Sequence, residues 1–330
     1  MGDALRVLAV TNLWPTGGSF RGIAVREQVE ALRRLGHTVD VEVVAQERGK
    51  ADYLLAAPRI RRRVAAGGYD LVHVHYGLTG FAARLAGAKP RVLSMYGSDI
   101  NTGWQRRITR LGWPGTAARI YVSRRLADTA GDRAGVVIPN GVDFTVFAPR
   151  DRAEARAELG LPADGTLVLF GAAPDNAVKR YDIFRDVLAA LRARGLDVRE
   201  LVLAEPHQPR ERVAAKFAAA DVLLFTSRQG SEGSPTVVKE ATAMGLPVVT
   251  VDVGDVAEIL RDVTPSAVVP FPGPDEPDAR ARLVERLADA TAEVLACGRR
   301  ADGREKVAWL DSLEVARRIE DVYREVLTCA

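Results

Sequence analysis

The sequence predicts an α/β protein built from two consecutive doubly wound halves, each a parallel sheet with helices on both faces. Three observations carry this. Short, wholly apolar runs recur between helical patterns, as strands buried on both faces require. The alternation pauses at the turn-rich, charged stretch from Phe144 to Gly160 and then begins again, which marks a domain boundary. Finally, Ala220 to Val253 reads as strand, loop, helix and strand, the repeating unit of such a sheet.

Composition narrows the class. A chain of 330 residues is long enough for two substantial cores, and 47% hydrophobic with 27% charged residues suits a soluble globular protein. A net charge of +3 gives no footprint for a nucleic-acid partner. Cys297 and Cys329 are the only cysteines and have no His/Cys cluster beside them, so neither a zinc framework nor a disulfide scaffold is expected. A reducing cytoplasm is the default compartment. No apolar run reaches the roughly 18 to 20 residues of a spanning helix, so any membrane contact is peripheral, at the inner face.

In the first half, Arg6 to Val10 is a strand that leads into Asn12 to Gly18, where Gly17 and Gly18 permit close approach to a ligand. A helix from Ile23 to Leu35 and a second strand complete a βαβ opening. Tyr69 to His75 is a further strand whose His73 and His75 share one face. No third metal ligand accompanies them, so the pair reads as satisfied core histidines rather than a metal site. Arg91 to Met95 is followed by Tyr96-Gly97-Ser98-Asp99, a phenol, a hydroxyl and a carboxylate at the carboxyl end of a strand. The stretch Trp104 to Trp113 is basic and aromatic, which suits either a solvated helix or an anionic surface. Two short strands, Ile120 to Ser123 and Gly135 to Ile138, and the turn Pro139 to Asp143 end this half.

In the second half, strands are expected at Thr166 to Phe170, Glu200 to Ala204, Val222 to Phe225 and Val248 to Val251, and a loop at Pro265 to Pro277. Lys179-Arg180 precedes the helix Tyr181 to Ala193, where cations oppose the macrodipole, and a bound anion would remove that conflict. Ser234-Pro235 reads as an N-cap and first helical residue, and Gly245 ends the helix. The amides of Ser234, Thr236 and Val237 form an anion site at the positive end of this helix, with Glu232 in the loop and Glu240 on the second turn. Glu240 beside Lys239 also fits the solvated face of a surface helix.

Taken in order, Gly17-Gly18, the Val-His-Val-His segment ending at His75, Gly97 to Asp99, Pro139 to Asp143, Lys179, and Ser231-Glu232-Gly233 leading to Glu240 resemble the retaining glycosyltransferases of family 4. The resemblance spans nearly the whole chain. It implies the GT-B architecture, two Rossmann-like domains facing across a cleft: residues 1–148 for the acceptor and 149–311 for the donor, with a helix at 312–330 packing back on the first. It implies transfer of a sugar from a nucleotide diphosphate sugar to an acceptor hydroxyl with retention, without metal or cofactor, in polysaccharide or secondary-metabolite glycosylation. The acceptor is a small molecule, a glycan or a lipid-linked sugar.

By the same resemblance, Glu240 binds the ribose hydroxyls and Glu232 the sugar hydroxyls. Gly233, Ser234, Pro235, Thr236 and Val237 hold phosphate and sugar, Lys179 neutralises the leaving diphosphate, and Gly17 and Gly18 close against it. Trp14, Tyr76, Ser98 and Asp99 line the acceptor side. Two positions depart from the family. Tyr96 stands where a histidine near the reacting carbon is common, and Ala172-Ala173 replaces an arginine, whose charge Arg180 is expected to supply. The alternatives on this fold are a nucleotide-sugar epimerase or phosphorylase, or a non-catalytic nucleotide-sugar-binding protein.

Overall fold

A computed structural model describes residues 3–16, 21–45, 48–205, 208–273 and 276–329. Gly17 and Gly18 lie outside the described residues. The chain forms two compact units, one of Met1–Gly141 with Leu310–Ala330, the other of Val142–Trp309.

The first unit is a parallel sheet of six strands: β1 (Arg6–Thr11), β2 (Thr38–Val43), β3 (Leu71–His75), β4 (Arg91–Met95), β5 (Ala118–Tyr121) and β6 (Val136–Val137), in the order β2-β1-β3-β4-β5-β6. Strand alternation divides its core in two. Leu8, Val10, Val72, Val74, Leu93 and Met95 face one layer, and Val7, Ala9, Leu71, Val92 and Ile120 face the other. The terminal helix Ser312–Thr328 closes the second layer with Val315, Ile319, Val322, Tyr323 and Val326, spaced for one helical face. Gly141 permits that return of the chain, because a Cβ there would lie 2.8 Å from Ser312 Cα.

The second unit is a parallel sheet of β7 (Thr166–Phe170), β8 (Val198–Val202), β9 (Val222–Phe225), β10 (Val248–Val251) and β11 (Ala267–Val269), in the order β11-β10-β9-β7-β8. Two expectations are corrected here. The strand expected at Glu200 to Ala204 starts at Val198, because β8 pairs in register with β7 from Thr166 to Phe170. The stretch read as a loop from Pro265 contains β11, whose edge position tolerates the prolines that flank it.

Each sheet reverses its winding direction once, between β1 and β3 in the first unit and between β7 and β9 in the second. Loops leaving the carboxyl ends of strands diverge at such a point and leave a crevice for ligands. In the second unit the diverging loops are those that carry Lys179 and Glu232.

Candidate active site

At the second unit's switch point, the loop after β7 ends in a single 3-10 turn, Ala177–Lys179, capped by the Asn176 side chain accepting from Val178 N. The loop after β9 is bonded to it by Arg228 N donating to Val178 O at 2.9 Å and by the Thr226 hydroxyl donating to the carbonyls of Lys179 and Arg180. These bonds place Lys179 Nζ 2.6 Å from Glu232 Oε1, and the Ser227 hydroxyl donates to the same oxygen, also at 2.6 Å. Both side chains keep contact with solvent, 21% exposed for Lys179 and 13% for Glu232.

The helix Thr236–Ala243 starts just beyond. Glu240 and Lys239 are both buried, which rules out the solvated-face reading. Glu240 Oε1 accepts from Arg210 Nη2 at 2.5 Å, and that guanidinium lies 4.6 Å from the centroid of Phe147. Arg210 opens the helix Arg210–Ala219, and the sequence reading gave it no role at the site. The only available signal was a cation at a helix start, which alone is weak.

The start of the helix also differs from expectation. Pro235 takes the N-cap position, and no side chain caps the helix. The Ser234 hydroxyl instead donates to Asp255 Oδ2 at 2.6 Å. By position, the first-turn amides of Thr236 and Val237 have no intrahelical acceptor. Gly171, at the end of β7, packs against this turn, and a Cβ there would lie 2.9 Å from a methyl of Val237.

Arg180 is placed otherwise than its charge alone suggested. It has φ 53°, and its guanidinium spans both oxygens of Asp182 at 2.8 Å each. Arg180 is the main cause, with Arg280 assisting, of an Asp182 carboxyl held well below the usual carboxylate range. The cation at the helix start is therefore balanced within the first turn, and no anion is needed to explain it.

In the first unit the residues assigned to the acceptor side gather beyond β3 and β4. The Asp99 carboxylate accepts from the amides of Gly77, Tyr96 and Gly97, which staples the two turns together. Burial raises this carboxyl above its usual range. Asp99 is fully buried, so its function in the fold is that staple, and the exposed group of the segment is Ser98. The Tyr76 hydroxyl lies 2.7 Å from Ser98 Oγ and donates to Gln105 Oε1 at 2.7 Å, and burial pushes the phenol up to about 12. Trp14 is partly buried against the core. Tyr96 places its hydroxyl 2.7 Å from His75 Nδ1, while His73 is bound between Tyr323 and Ser94. Burial lowers His75 to about 3, so the imidazole is neutral. Among the described residues, no group of three or more His, Cys, Asp or Glu side chains is arranged to hold a metal ion, and no helix is long and apolar enough to cross a membrane.

Two doubly wound parallel units, with diverging loops that bring a lysine and a glutamate together beside an uncapped helix start, place the fold in the GT-B class. Comparison with known sequences then gives the family. The profile described as "Glycosyltransferase Family 4" matches residues 22–146, and "Glycosyl transferases group 1" matches residues 153–290. The chain belongs to this glycosyltransferase family. The D-inositol 3-phosphate glycosyltransferase of Acidothermus cellulolyticus is 29% identical over 249 residues, 59% of this chain and 55% of that protein. The protein of the same name in Nocardia farcinica is 31% identical over 254 residues, 62% of this chain and 56% of that one. The chain thus aligns over little more than half the length of these relatives. In fold it is similar to the sucrose-phosphate synthase (tll1590) of Thermosynechococcus elongatus, with a TM-score of 0.74 at 19% identity over 98% of this chain and 100% of that one. It is also similar to Anabaena Alr3699/HepE in complex with UDP-glucose, with a TM-score of 0.67 at 18% identity over 97% and 100% of the two chains.

Proposed function

We propose that the protein transfers a sugar from a nucleotide diphosphate sugar to an acceptor hydroxyl, with retention at the anomeric carbon and without a metal. The observation that carries this reading is the contact of Lys179 with Glu232 beside the uncapped helix that bears Glu240. A carboxylate buried beside a helix start suits the two hydroxyls of a ribose. The first-turn amides suit the diphosphate attached to it, and Glu232 suits the sugar beyond. Lys179 supplies the positive charge opposite the diphosphate, while Arg180, tied to Asp182, steadies the turn that carries Lys179.

As the bond from the anomeric carbon to the diphosphate oxygen breaks, that oxygen gains negative charge, which Lys179 and the amides stabilise by fixed placement. The acceptor oxygen bonds to the same face of the anomeric carbon, and its proton passes to the departing phosphate oxygen. Tyr96, its phenol held by His75, is assigned to the sugar side in the amino-terminal unit with Trp14, Tyr76 and Ser98.

The relatives' name makes an inositol phosphate the first acceptor to assay, and UDP-glucose, bound by Alr3699/HepE, the first donor. Two exposed free cysteines suit a reducing cytoplasm. On the arginine-rich helix Gly103–Gly112, Trp104 is 57% exposed and Leu111 is 52% exposed, which supports peripheral contact with an anionic membrane face. Proton NMR of the isolated product distinguishes the stereochemical courses. An anomeric coupling constant of the donor's configuration is expected, and the opposite configuration overturns retention.

A further inference from the structure

Beneath the loop that leads into Thr236–Ala243 lies a polar cluster that no step above uses. Lys239 is completely buried, and Asp255 and Ser234 nearly so. Lys239 Nζ donates to Ser234 Oγ, Ser234 Oγ donates to Asp255 Oδ2 at 2.6 Å, and Lys239 Nζ lies 3.8 Å from that carboxylate oxygen. The turn that carries Asp255 is clasped to the same loop. Gly254 has φ 58°, and a Cβ there would lie 2.8 Å from Gly233 O.

Two buried charges are a costly way to fill space. Replacing such a pair by apolar side chains of similar volume is often neutral or stabilising. What this cluster does locally is bind the Ser234 hydroxyl. At this helix start a serine hydroxyl would otherwise accept from a first-turn amide, as the Ser123 side chain does from Leu126 N elsewhere in the chain. With the hydroxyl drawn down to Asp255 and Pro235 at the N-cap, the helix has no side-chain cap. Its amides are left for another acceptor.

We propose that Lys239 and Asp255 are positioning residues that act through Ser234, holding the helix start uncapped and the Glu232–Pro235 loop in place so that the amides receive the diphosphate of the donor. This rests on the donor-site reading above and adds to it a buried device for presenting the phosphate site. The three residues do not touch the ligand through their side chains. They act on phosphate binding and leave ribose binding, at Glu240, largely untouched.

The test titrates the full chain with uridine, adenosine and guanosine diphosphates, then with the parent nucleoside of the tightest binder by ligand-observed NMR. Ser234→Ala and Asp255→Asn are each expected to weaken the diphosphate about tenfold, the equivalent of one lost hydrogen bond to a charged group, with nucleoside affinity nearly constant. Ser234→Thr, which keeps the hydroxyl, is expected to bind as the unsubstituted protein does. Melting temperature, recorded alongside, identifies any variant that fails to fold, and Ser234→Ala, which leaves the Lys239 and Asp255 charges in place, is then the deciding variant. Unchanged diphosphate affinity in Ser234→Ala, or equal loss of diphosphate and nucleoside, overturns the positioning role and leaves the donor-site reading standing. If the unsubstituted protein binds none of the diphosphates, or Glu240→Gln leaves every affinity unchanged, the donor-site reading itself fails and the positioning role falls with it.

Discussion

Lys179 Nζ and Glu232 Oε1 lie 2.6 Å apart, joining the two loops that diverge at the switch point of the carboxyl-terminal sheet. The bonds from Arg228 N to Val178 O and from the Thr226 hydroxyl to the carbonyls of Lys179 and Arg180 fix the loops, and the pair sets where the two side-chain groups stand before any ligand arrives. In the proposed reaction, an incoming diphosphate competes with Glu232 for the lysine, which leaves the carboxylate to accept from sugar hydroxyls. One contact therefore holds both charges ready.

A partly exposed pair of this kind contributes at most about 1 kcal/mol to stability, whereas loss of a group placed against developing charge costs on the order of a hundredfold in rate. Lys179→Met is accordingly expected to melt within a few degrees of the unsubstituted protein and to lose about a hundredfold in turnover of the donor. Parallel calorimetry and donor-consumption assays check it. A variant with intact turnover removes Lys179 from the reaction.

The pair of Arg210 and Glu240 behaves differently because it is buried, with side-chain exposures of 14% and 5%. Arg210→Met leaves Glu240 as an uncompensated charge and is expected to destabilise the protein by about 3 kcal/mol or more in urea unfolding. Glu240→Gln, which keeps an acceptor for Arg210, is expected to unfold nearer the unsubstituted midpoint while losing nucleotide affinity. Equal unfolding midpoints for Arg210→Met and the unsubstituted chain contradict the assignment.

Histidine burial predicts a pH dependence. His73 and His75 both titrate below their ordinary 6.5 because burial disfavours the imidazolium, His75 at about 3. Between those limits the unfolded chain binds protons that the native chain does not. Their contribution is therefore full above pH 6.5 and is lost as the pH falls, by about 1.4 kcal/mol per pH unit for each histidine. Buried Asp99 and Asp255 act with opposite sign, since burial raises their carboxyls. Comparison with His75→Phe isolates one histidine. Its unfolding free energy is expected to fall less steeply between pH 6.5 and 5, and equal slopes contradict a neutral, buried His75.

Much of the fold was legible because strands buried on both faces are mainly apolar. β3, β4, β9 and β10 are buried at every position, β9 with apolar residues alone and the others with one or two polar ones. β11, Ala-Val-Val, escaped because an apolar run of three residues between prolines is too short to mark a strand. The site was legible as residue types near a helix start, and much less so as partners. Arg210 lies 30 residues from Glu240, and Asp255 lies 21 from Ser234, distances over which spacing says nothing until the sheet is assembled. Local electrostatics misplaced Arg180 for the opposite reason, since its partner Asp182 was two residues away. The solvated-face alternative for Lys239 failed because a polar residue on an eight-residue helix looks exposed until Ser234 and Asp255 meet it.

The central claim, that the carboxyl-terminal unit binds a nucleotide diphosphate sugar between Lys179, Glu232 and Glu240, is tested most directly by calorimetric titration of the protein and of Glu240→Gln with UDP-, ADP- and GDP-glucose. The expected result is saturable binding of at least one of the three, weakened about tenfold or more in the variant by loss of a charged hydrogen bond. Binding of equal strength to the variant, or no binding of any of the three to the unsubstituted protein, contradicts it.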